Sequence, residues 1–325
     1  MDLFYVYLSN VYEINLRSTN TPTIHLKQFI LMPILTVFTP AYNRADLLER
    51  LYHSLLSQTN DNFKWLIIDD GSSDNTESVV ENWKVENKIP IEYYFKENGG
   101  IHTAYNSGIE KADTELFICI DSDDFMPEDG VENIIKFWEK NGSEDVAGII
   151  GLDYDLEGKP LKNRLLPEVD KLYITELATK YKFDADVKMV HKTKLLKEVA
   201  PMKVFQGEKN FNPIYLFLKV DEKLPMLVLN KNFCFVDYQE TGMANNILNQ
   251  FMNSPRSFAE LRKLNMSMSR VTPAFIFKNA VHYVSSSIIA KKRDWFSDSP
   301  KKAYTLLAIP FGIALTIYLK IKTRN

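Results

Sequence analysis

The chain has 325 residues, of which 45% are hydrophobic and 25% are charged. This length and composition predict a globular protein of about two domains, or one large α/β domain with an appended segment. The net charge of −3 argues against nucleic acid as the main partner, because no overall basic field would attract phosphates. Cys119 and Cys234 lie far apart in apolar runs, which predicts core residues in a reducing cytoplasm, not a disulfide or a zinc site.

The first 31 residues show no clear helical or strand period. They also lack the basic start, apolar stretch and small-residue cleavage site of a signal peptide in that order. Since the regular pattern begins at Met32, we predict a loose extension over residues 1–31, with Met32 as the natural start. The alternative is an added edge strand or helix packed on the domain.

From residue 34 to residue 152, short β-rich runs alternate with amphipathic helical stretches. This alternation predicts βαβ units and a mostly parallel central sheet with helices on both faces. The strands are predicted at 34–38, 64–69, 91–95, 116–121 and 146–152.

The second half of the chain is more polar, with one strand predicted at 186–190 in the stretch 153–203. A helix at 210–222 and two strands at 226–230 and 233–237 complete the globular part. Beyond it the pattern is helical.

Polar residues follow the first four predicted strands directly. In an open α/β sheet, ligands bind outside the carboxyl ends of the strands, so these loops are predicted to meet at one ligand. Their coincidence is stronger evidence for a site than any one of them. The four loops are Thr39–Arg44, Asp69–Asp74, Asn98–Gly100 and Asp121–Asp124.

The loop Asp121–Asp124 is the sharpest signal, because carboxylates two residues apart beyond a buried strand can point into one cleft. Like charges packed there need a cation or shifted pKa values. A hard divalent ion with oxygen ligands satisfies them and can bridge to diphosphate oxygens. The alternative is a polar loop that caps the helix after Pro127. The position at a strand end, opposite Asp69 and Asp70, favours the metal.

The other loops leave two interpretations open. An Asx turn explains Ser73 or Asp74, but Asp69 and Asp70 need hydrogen-bond donors, for which a nucleobase N–H is suitable. The Asn98–Gly100 loop is either a turn or a place where backbone approaches a ligand. No GxGxxG fingerprint follows the first strand, which argues against a dehydrogenase.

The segments TPAYNR, IIDDGSSDNT, ENGGIHTAYNSGI and IDSDD, in this order and spacing, resemble family-two glycosyltransferases, the inverting enzymes of the GT-A type. The resemblance runs from about residue 34 to about residue 246. Residues 205–209 are similar to the FxGEK stretch of a bacterial subgroup that builds surface polysaccharides. Residues 237–243 match its YxxDGLS stretch imperfectly, since Thr241 and Ala244 stand where Asp and Ser are expected.

The resemblance implies the fold of a GT-A nucleotide-diphospho-sugar transferase. It implies transfer of a sugar, typically UDP-linked, to a hydroxyl of a glycan or lipid-linked glycan acceptor, with inversion and with Mn²⁺ or Mg²⁺. The expected domains are a catalytic domain at 32–246, divided at 152 into a nucleotide-sugar half and an acceptor half, and a helical extension at 247–325.

The resemblance also assigns residues. Asp123 is expected to coordinate the metal, and Glu208 is expected to be the catalytic base that takes the acceptor proton. Without the resemblance, Glu208 beside Lys209 is interpreted as a solvated loop carboxylate. Acceptor contacts are expected at Tyr238 and Glu240. The expected nucleotide-sugar contacts are Thr39, Pro40, Ala41, Tyr42, Asn43, Arg44, Asp70, Gly99, Gly100, Asn106, Asp121 and Ser122.

Two features are ambiguous from sequence. His102 and His191 are candidate metal ligands, but lone histidines are more often packing residues. The apolar segment 303–321 approaches the length of a membrane span, yet Pro310 and Gly312 interrupt it and lysines flank it. We predict an in-plane anchor on the inner face of the cell membrane over a span. A helix packed on the catalytic domain is the alternative.

Two other functions compete with sugar transfer. A sugar-phosphate nucleotidyltransferase usually carries a Gly-rich basic loop after the first strand, which TPAYNR matches poorly. A non-catalytic carbohydrate-binding protein would have no reason to keep the DSDD carboxylates together with Glu208.

Overall fold

The structure, a computed structural model, describes residues 12–14, 24–26, 33–237 and 246–323. The chain divides into two compact units, Met1–Met32 and Pro33–Asn325. In the first unit, the short strands Tyr12–Ile14 and Ile24–Leu26 pair antiparallel. Backbone pairing therefore exists in a segment whose sequence shows no clear period.

The second unit is built on an eight-stranded sheet with the strand order β3-β2-β1-β4-β7-β5-β8-β6. The strands β3, β2, β1 and β4 run parallel, as do β5 and β8. Strand β7 is antiparallel to both of its neighbours, and β6 is antiparallel to β8. The strands are β1 Leu35–Ala41, β2 Phe63–Asp69, β3 Ile91–Phe95, β4 Leu116–Cys119, β5 Gly148–Tyr154, β6 Lys171–Leu172, β7 Val187–Lys192 and β8 Met226–Phe235.

Helices connect the strands and form the end of the chain. In the described ranges they are α1 Ala45–Leu56, α2 Thr76–Glu86, α3 Ile101–Lys111, α4 Gly130–Asn141, α5 Ile174–Thr179, α6 Thr193–Val199, α7 Ile214–Asp221, α8 Ile247–Asn253, α9 Pro255–Ser267, α10 Pro273–Ile289 and α11 Lys302–Lys322. The predicted mostly parallel α/β sheet with a helical C-terminal extension is confirmed.

The sheet has a hydrophobic core on each face, which explains the nearly continuous apolar strands. All seven residues of β2 are buried. On one face Trp65 stacks near Trp83, which in turn stacks on Tyr52 with ring centroids 4.3 Å apart. Burying each such large side chain contributes about 1.5–3 kcal/mol, so the loops at the strand ends extend from a rigid base.

The second half of the sheet differs from the sequence prediction in two ways. The strand predicted at 186–190 lies between β4 and β5 as the antiparallel β7, which places Lys188 inside the sheet. The two strands predicted at 226–230 and 233–237 are one strand, β8. Its pairing with β5 shifts register twice, after Val228 and after Asn232, so the polar residues between the two apolar runs bulge without ending the strand.

Helices α10 and α11 pack through small side chains. A Cβ on Gly312 would lie 2.5 Å from Val284 Cγ1, and Thr316 Oγ1 donates to Ser285 Oγ at 3.0 Å. Among the described residues, α11 is the one helix that is long and apolar enough to cross a membrane. Of its most apolar 18-residue stretch, 28% is buried in the protein. Pro310 is accommodated within this continuous helix.

Candidate active site

The loops after β1 and β2 are joined by hydrogen bonds at the carboxyl edge of the sheet. Asn43 has a left-handed backbone with φ of 53°. Its N–H donates to Ser72 Oγ at 2.8 Å, and its Oδ1 accepts from the Ser73 N–H at 2.7 Å. The exposed Tyr42 and half-buried Arg44 flank it. The structure therefore brings together the TPAYNR and DDGS loops, as the sequence predicts.

Asp69 has a structural role. It is fully buried, and its carboxylate accepts from the Ser72 N–H and from Tyr93 Oη, each at 2.7 Å. Burial raises the pKa of Tyr93, and the hydrogen bond to Asp69 raises it further. Asp69 thus anchors the turn that presents Asp70.

Asp70 finds its hydrogen-bond donors in the loop after β3. Its carboxylate accepts from Lys96 Nζ at 2.5 Å, from the Gly99 N–H at 3.0 Å and from the Gly100 N–H at 2.7 Å. Protein donors therefore account for its place at the strand end without a nucleobase. A nucleobase contact of Asp70 remains a prediction, and the carboxylate's clear role is to order the start of α3.

Gly100 is required by a close approach of protein backbone. Its φ is +95°, and a Cβ there would lie 2.1 Å from the carbonyl oxygen of Lys209. That carbonyl accepts from the Ile101 N–H at 3.2 Å. The glycine that the sequence associates with a ligand or a turn therefore lets the loop Gly207–Lys209, here called the GEK loop, contact the start of α3.

The Asp121–Asp124 loop alternates in exposure. Asp121 and Asp123 are partly exposed, whereas Ser122 and Asp124 are buried. Burial raises the pKa of Asp123, and the neighbouring Asp121 raises it further, while Arg44 opposes the shift. Two partly exposed carboxylates therefore lie close enough in this loop to repel each other.

This arrangement fits a divalent cation. Within the described ranges, no group of three or more His, Cys, Asp or Glu side chains is placed to hold a metal ion. Of the carboxylates in the Asp121–Asp124 loop, Asp121 and Asp123 are the partly exposed pair. One or two carboxylates with the remaining ligands from phosphate oxygens and water is the coordination that Mg²⁺ favours, and Mn²⁺ also prefers oxygen ligands.

A buried cation below this loop was missed by the sequence analysis. Lys188 Nζ lies 3.3 Å from Asp124 Oδ2 and 3.9 Å from Asp153 Oδ1. Burial raises the pKa of Asp124 to about 6 and of Asp153 to about 7. Burial lowers the pKa of Lys188, but Asp153 and the other acidic groups outweigh it and hold the lysine charged. A lysine within the apolar strand DVKMV was the signal for this network.

Arg50 on α1 was also missed. Its Nη1 donates to Asp237 Oδ2 at 2.8 Å, and its Nη2 donates to the Asp123 carbonyl oxygen. The guanidinium lies 4.9 Å from the centre of the Phe125 ring. Arg50 therefore joins the Asp121–Asp124 loop to the residues that follow β8, and a helix-surface arginine in sequence gives no sign of this role.

Glu208 is engaged with the start of α9. Its Oε1 accepts from the Arg256 N–H and Nε at 2.9 Å each, and its Oε2 accepts from the Ser257 N–H at 2.8 Å and Oγ at 2.7 Å. The side chain is 4% exposed. A general base needs a free lone pair towards the substrate hydroxyl, so this geometry favours an anchoring role. The base role stays a prediction.

Three of the residues expected to contact the nucleotide have side chains engaged within the protein, and their contact with a nucleotide stays a prediction. Thr39 and Ala41 are buried, and Thr39 Oγ1 donates to the Ile120 carbonyl at 2.9 Å, so these side chains do not face the cleft. The amide of Asn106 is occupied by the Met202 backbone, with distances of 2.9 Å and 2.8 Å. The hydrogen bonds of Thr39 and Asn106 connect the strand-end region to neighbouring segments of the protein.

The remaining candidates have the following places. Pro40 and Gly99 are half-buried at the edge of the cleft. His102 and His191 are buried, and His191 stacks on Phe217 with ring centroids 4.5 Å apart, as packing residues do. Burial lowers the pKa of His191 to about 3, which keeps the ring neutral. Tyr238 and Glu240 lie outside the described residues.

Glu208→Gln separates anchoring from base catalysis. We expect the free energy of unfolding to fall by about 1.5–3 kcal/mol, because an amide N–H₂ would face donors that now bind a carboxylate. Thermal and urea unfolding would measure this, with the exposed Glu157→Gln as matched control. Unchanged stability together with a turnover loss of about 10²–10⁴-fold would contradict anchoring and support the base role.

A mostly parallel sheet with a polar, acidic edge at the carboxyl ends of its strands is typical of α/β proteins that bind a ligand at that edge. Residues 36–197 match the model of glycosyl transferase family 2. The chain therefore carries a family 2 glycosyltransferase domain of the GT-A type.

Individual relatives agree with this assignment. The chain is 33% identical over 106 residues to TuaG of Bacillus subtilis (strain 168), which is named as a teichuronic acid biosynthesis glycosyltransferase. The aligned region covers 32% of this chain and 42% of that protein. The fold is similar to residues 1–349 of S. aureus TarS in complex with UDP-GlcNAc, with a TM-score of 0.56, 16% identity, and 84% and 79% of the two chains covered.

The fold is also similar to the mannosyltransferase PcManGT from Pyrobaculum calidifontis in complex with GDP-Man and Mn²⁺. The TM-score is 0.52 at 16% identity, with 86% of this chain and 87% of that chain covered. The chain spans less than half the length of the first curated relatives that it matches, at 42% and 46%.

Proposed function

We propose that this glycosyltransferase moves a sugar from a nucleotide-diphosphate sugar, a UDP-sugar in the first instance, to a hydroxyl of an acceptor glycan with inversion. The observation that carries the proposal is the pair of partly exposed carboxylates, Asp121 and Asp123, beside Arg44 at the carboxyl edge of the sheet. The Mn²⁺ and nucleotide sugars present in structural neighbours support a metal-assisted donor site of this kind.

The residues near the Asp121–Asp124 loop have the following proposed roles. Asp123, supported by Asp121, would hold Mn²⁺ or Mg²⁺, which when bound neutralises charge on the leaving diphosphate. Arg44 adds positive charge at the same edge. The exposed Tyr42, 49% accessible, offers a ring on which a base can stack. Arg50 holds the backbone of Asp123 in place.

The acceptor is proposed to bind beside the GEK loop. A cavity of about 510 Å³ lies there, and its lining includes amide and hydroxyl side chains such as Asn210, Gln250 and Ser254. Amide and hydroxyl groups match the donors and acceptors of sugar hydroxyls. Relatives named for teichuronic acid and chondroitin synthesis support a cell-surface polysaccharide as the product.

A donor screen tests the proposal. We expect UDP with Mn²⁺ to raise the melting temperature, with about 2.7 kcal/mol of added stability at a hundredfold excess over Kd. Slow hydrolysis of one UDP-sugar should require Mn²⁺ or Mg²⁺. Stabilisation by UDP alone, without hydrolysis or transfer of any nucleotide sugar in the presence of metal, would contradict catalysis and favour a non-catalytic binding protein.

We further propose that α11 lies on the inner face of the cell membrane. Large apolar side chains of α11 are exposed, among them Leu307 at 65%, Ile321 at 62% and Ile317 at 55%. Lys301 and Lys302 precede this face, and further lysines follow it. An apolar face with flanking lysines suits binding in the plane of an anionic membrane.

Leu307→Glu with Ile317→Glu should reduce binding to vesicles of anionic phospholipid by about 10²-fold or more. Each exposed side chain loses about 1.5–3 kcal/mol of apolar burial, and neither packs against α10. Co-sedimentation with vesicles measures the effect. Val85→Glu, an exposed apolar residue on α2, is the matched control. Equal sedimentation of both variants would show that α11 does not contact lipid.

A further inference from the structure

Arg262 on helix α9 is half-buried, and no carboxylate in residues 33–237 and 246–323 is paired with it. The Nε atom of Arg262 is buried and has no hydrogen-bond partner. Its Nη1 donates to the amide oxygen of Asn279 at 3.1 Å, which is a neutral acceptor. Burial lowers the pKa of Arg262 to about 10, and no described carboxylate opposes the shift. A charge with little access to water is normally paired, and the part of the chain that the structure describes supplies no carboxylate for this guanidinium.

The polar groups around Arg262 include a neutral histidine. His282 on α10 has its pKa lowered to about 4 by burial and then by Arg262 and Lys278. The buried Asp221 carboxylate accepts from the N–H groups of Ile174 and Thr175 and is thereby held by protein donors. The positive charge that an anion would meet in this region is that of Arg262.

Arg262 lines a pocket of about 360 Å³ between α5, α7, α8, α9 and α10. The lining is largely apolar and includes Leu218, Phe251, Phe258 and Phe275. The volume is at the lower end of the roughly 300–1,000 Å³ of small-molecule sites. The pocket therefore has room for a medium-length chain and not for an oligosaccharide.

We propose that this pocket binds one single-chain amphiphile with an anionic head, whose chain lies among the aromatic side chains and whose head accepts a hydrogen bond from Arg262. Charge complementarity selects this occupant, because a neutral chain would leave the guanidinium unpaired and a free anion would leave the apolar walls in water. The site is separate from the Asp121–Asp124 loop and does not depend on sugar transfer.

Calorimetric titration of the full chain with monomeric dodecyl phosphate tests the proposal. Dodecyl maltoside has the same chain with a neutral head, and inorganic phosphate has the head without a chain. We expect one dodecyl phosphate per chain, bound about tenfold to a hundredfold more tightly than dodecyl maltoside, as for a hydrogen bond to a charged group. Equal binding of the two amphiphiles, or equal binding of inorganic phosphate and dodecyl phosphate, would overturn it.

Two variants locate the binding. Arg262→Gln should lower the affinity for dodecyl phosphate to that for dodecyl maltoside, whereas Arg164→Gln, an exposed arginine paired with Asp184, should change neither. Ala178→Trp at the exposed rim of the pocket should weaken both amphiphiles by about tenfold, because burial of several methylene groups is lost. If Arg262→Gln does not fold, Ala178→Trp decides, and unchanged binding of dodecyl phosphate would place the amphiphile elsewhere, as on the exposed face of α11.

Discussion

Replacing Asp123 by alanine is expected to reduce sugar transfer by at least about 10³-fold while the fold stays intact. The proposed metal supplies several kcal/mol of transition-state stabilisation at the leaving diphosphate, and each 1.36 kcal/mol is a factor of ten in rate. Stability should not fall. Burial and Asp121 already raise the pKa of Asp123, so its charge is unfavourable in the folded protein without metal.

Transfer assays at saturating donor and Mn²⁺, with melting curves for both proteins, measure these two effects. Asp129→Ala is the matched control, because Asp129 is exposed in the same connection and its side chain makes no capping hydrogen bond. It should retain activity within about twofold. Near-normal transfer by Asp123→Ala would exclude Asp123 as a metal ligand.

Replacing Lys188 by methionine is expected to lower the free energy of unfolding by about 3–5 kcal/mol at pH 8. The lysine is 12% exposed and is the nearest cation to Asp124 and Asp153, which are 6% and 4% exposed. Methionine preserves much of the side-chain volume, so the decrease in the free energy of unfolding would come mainly from removing the positive charge. Urea unfolding measures it, with the exposed Lys159→Met as control.

The size of the Lys188→Met effect should depend on pH. Asp153 has a folded-state pKa of about 7, above its ordinary 3.8, so the folded protein holds the proton more tightly than the unfolded chain. Its ionisation therefore costs stability as pH rises from about 4 to about 7. We expect a smaller effect of Lys188→Met at pH 5 than at pH 8. Adding Asp153→Asn should restore part of the loss, and a pH-independent loss without rescue would contradict this network.

The sequence predicts the nucleotide half well because its signals are local. Alternating apolar runs place β1 to β4 within a few residues of their observed bounds, and each polar loop follows its strand directly. The contacts within that half follow from the parallel order of neighbouring strands. This is why the proximity of the TPAYNR and DDGS loops could be predicted.

Partners of individual polar groups could not be predicted, since they are chosen by elements distant in sequence. Asp70 binds the loop after β3, and Glu208 binds residues 256 and 257, so each carboxylate finds protein donors where the sequence suggested substrate. Gly100 has a similar explanation, because the backbone that approaches it belongs to Lys209. A local sequence pattern cannot predict contacts between residues that are this far apart in the sequence.

By itself, the sequence determined the α/β class, the positions of the first strands along the chain and the acidic loop that follows the fourth strand, because strand periodicity and loop position are properties of short segments. Only the tertiary structure decided that β7 enters the sheet antiparallel between β4 and β5. That insertion places Lys188 beneath the acidic loop. The physical reason is that sheet pairing and the burial of charge depend on which strands become neighbours, and this choice is made by the packing of the whole domain.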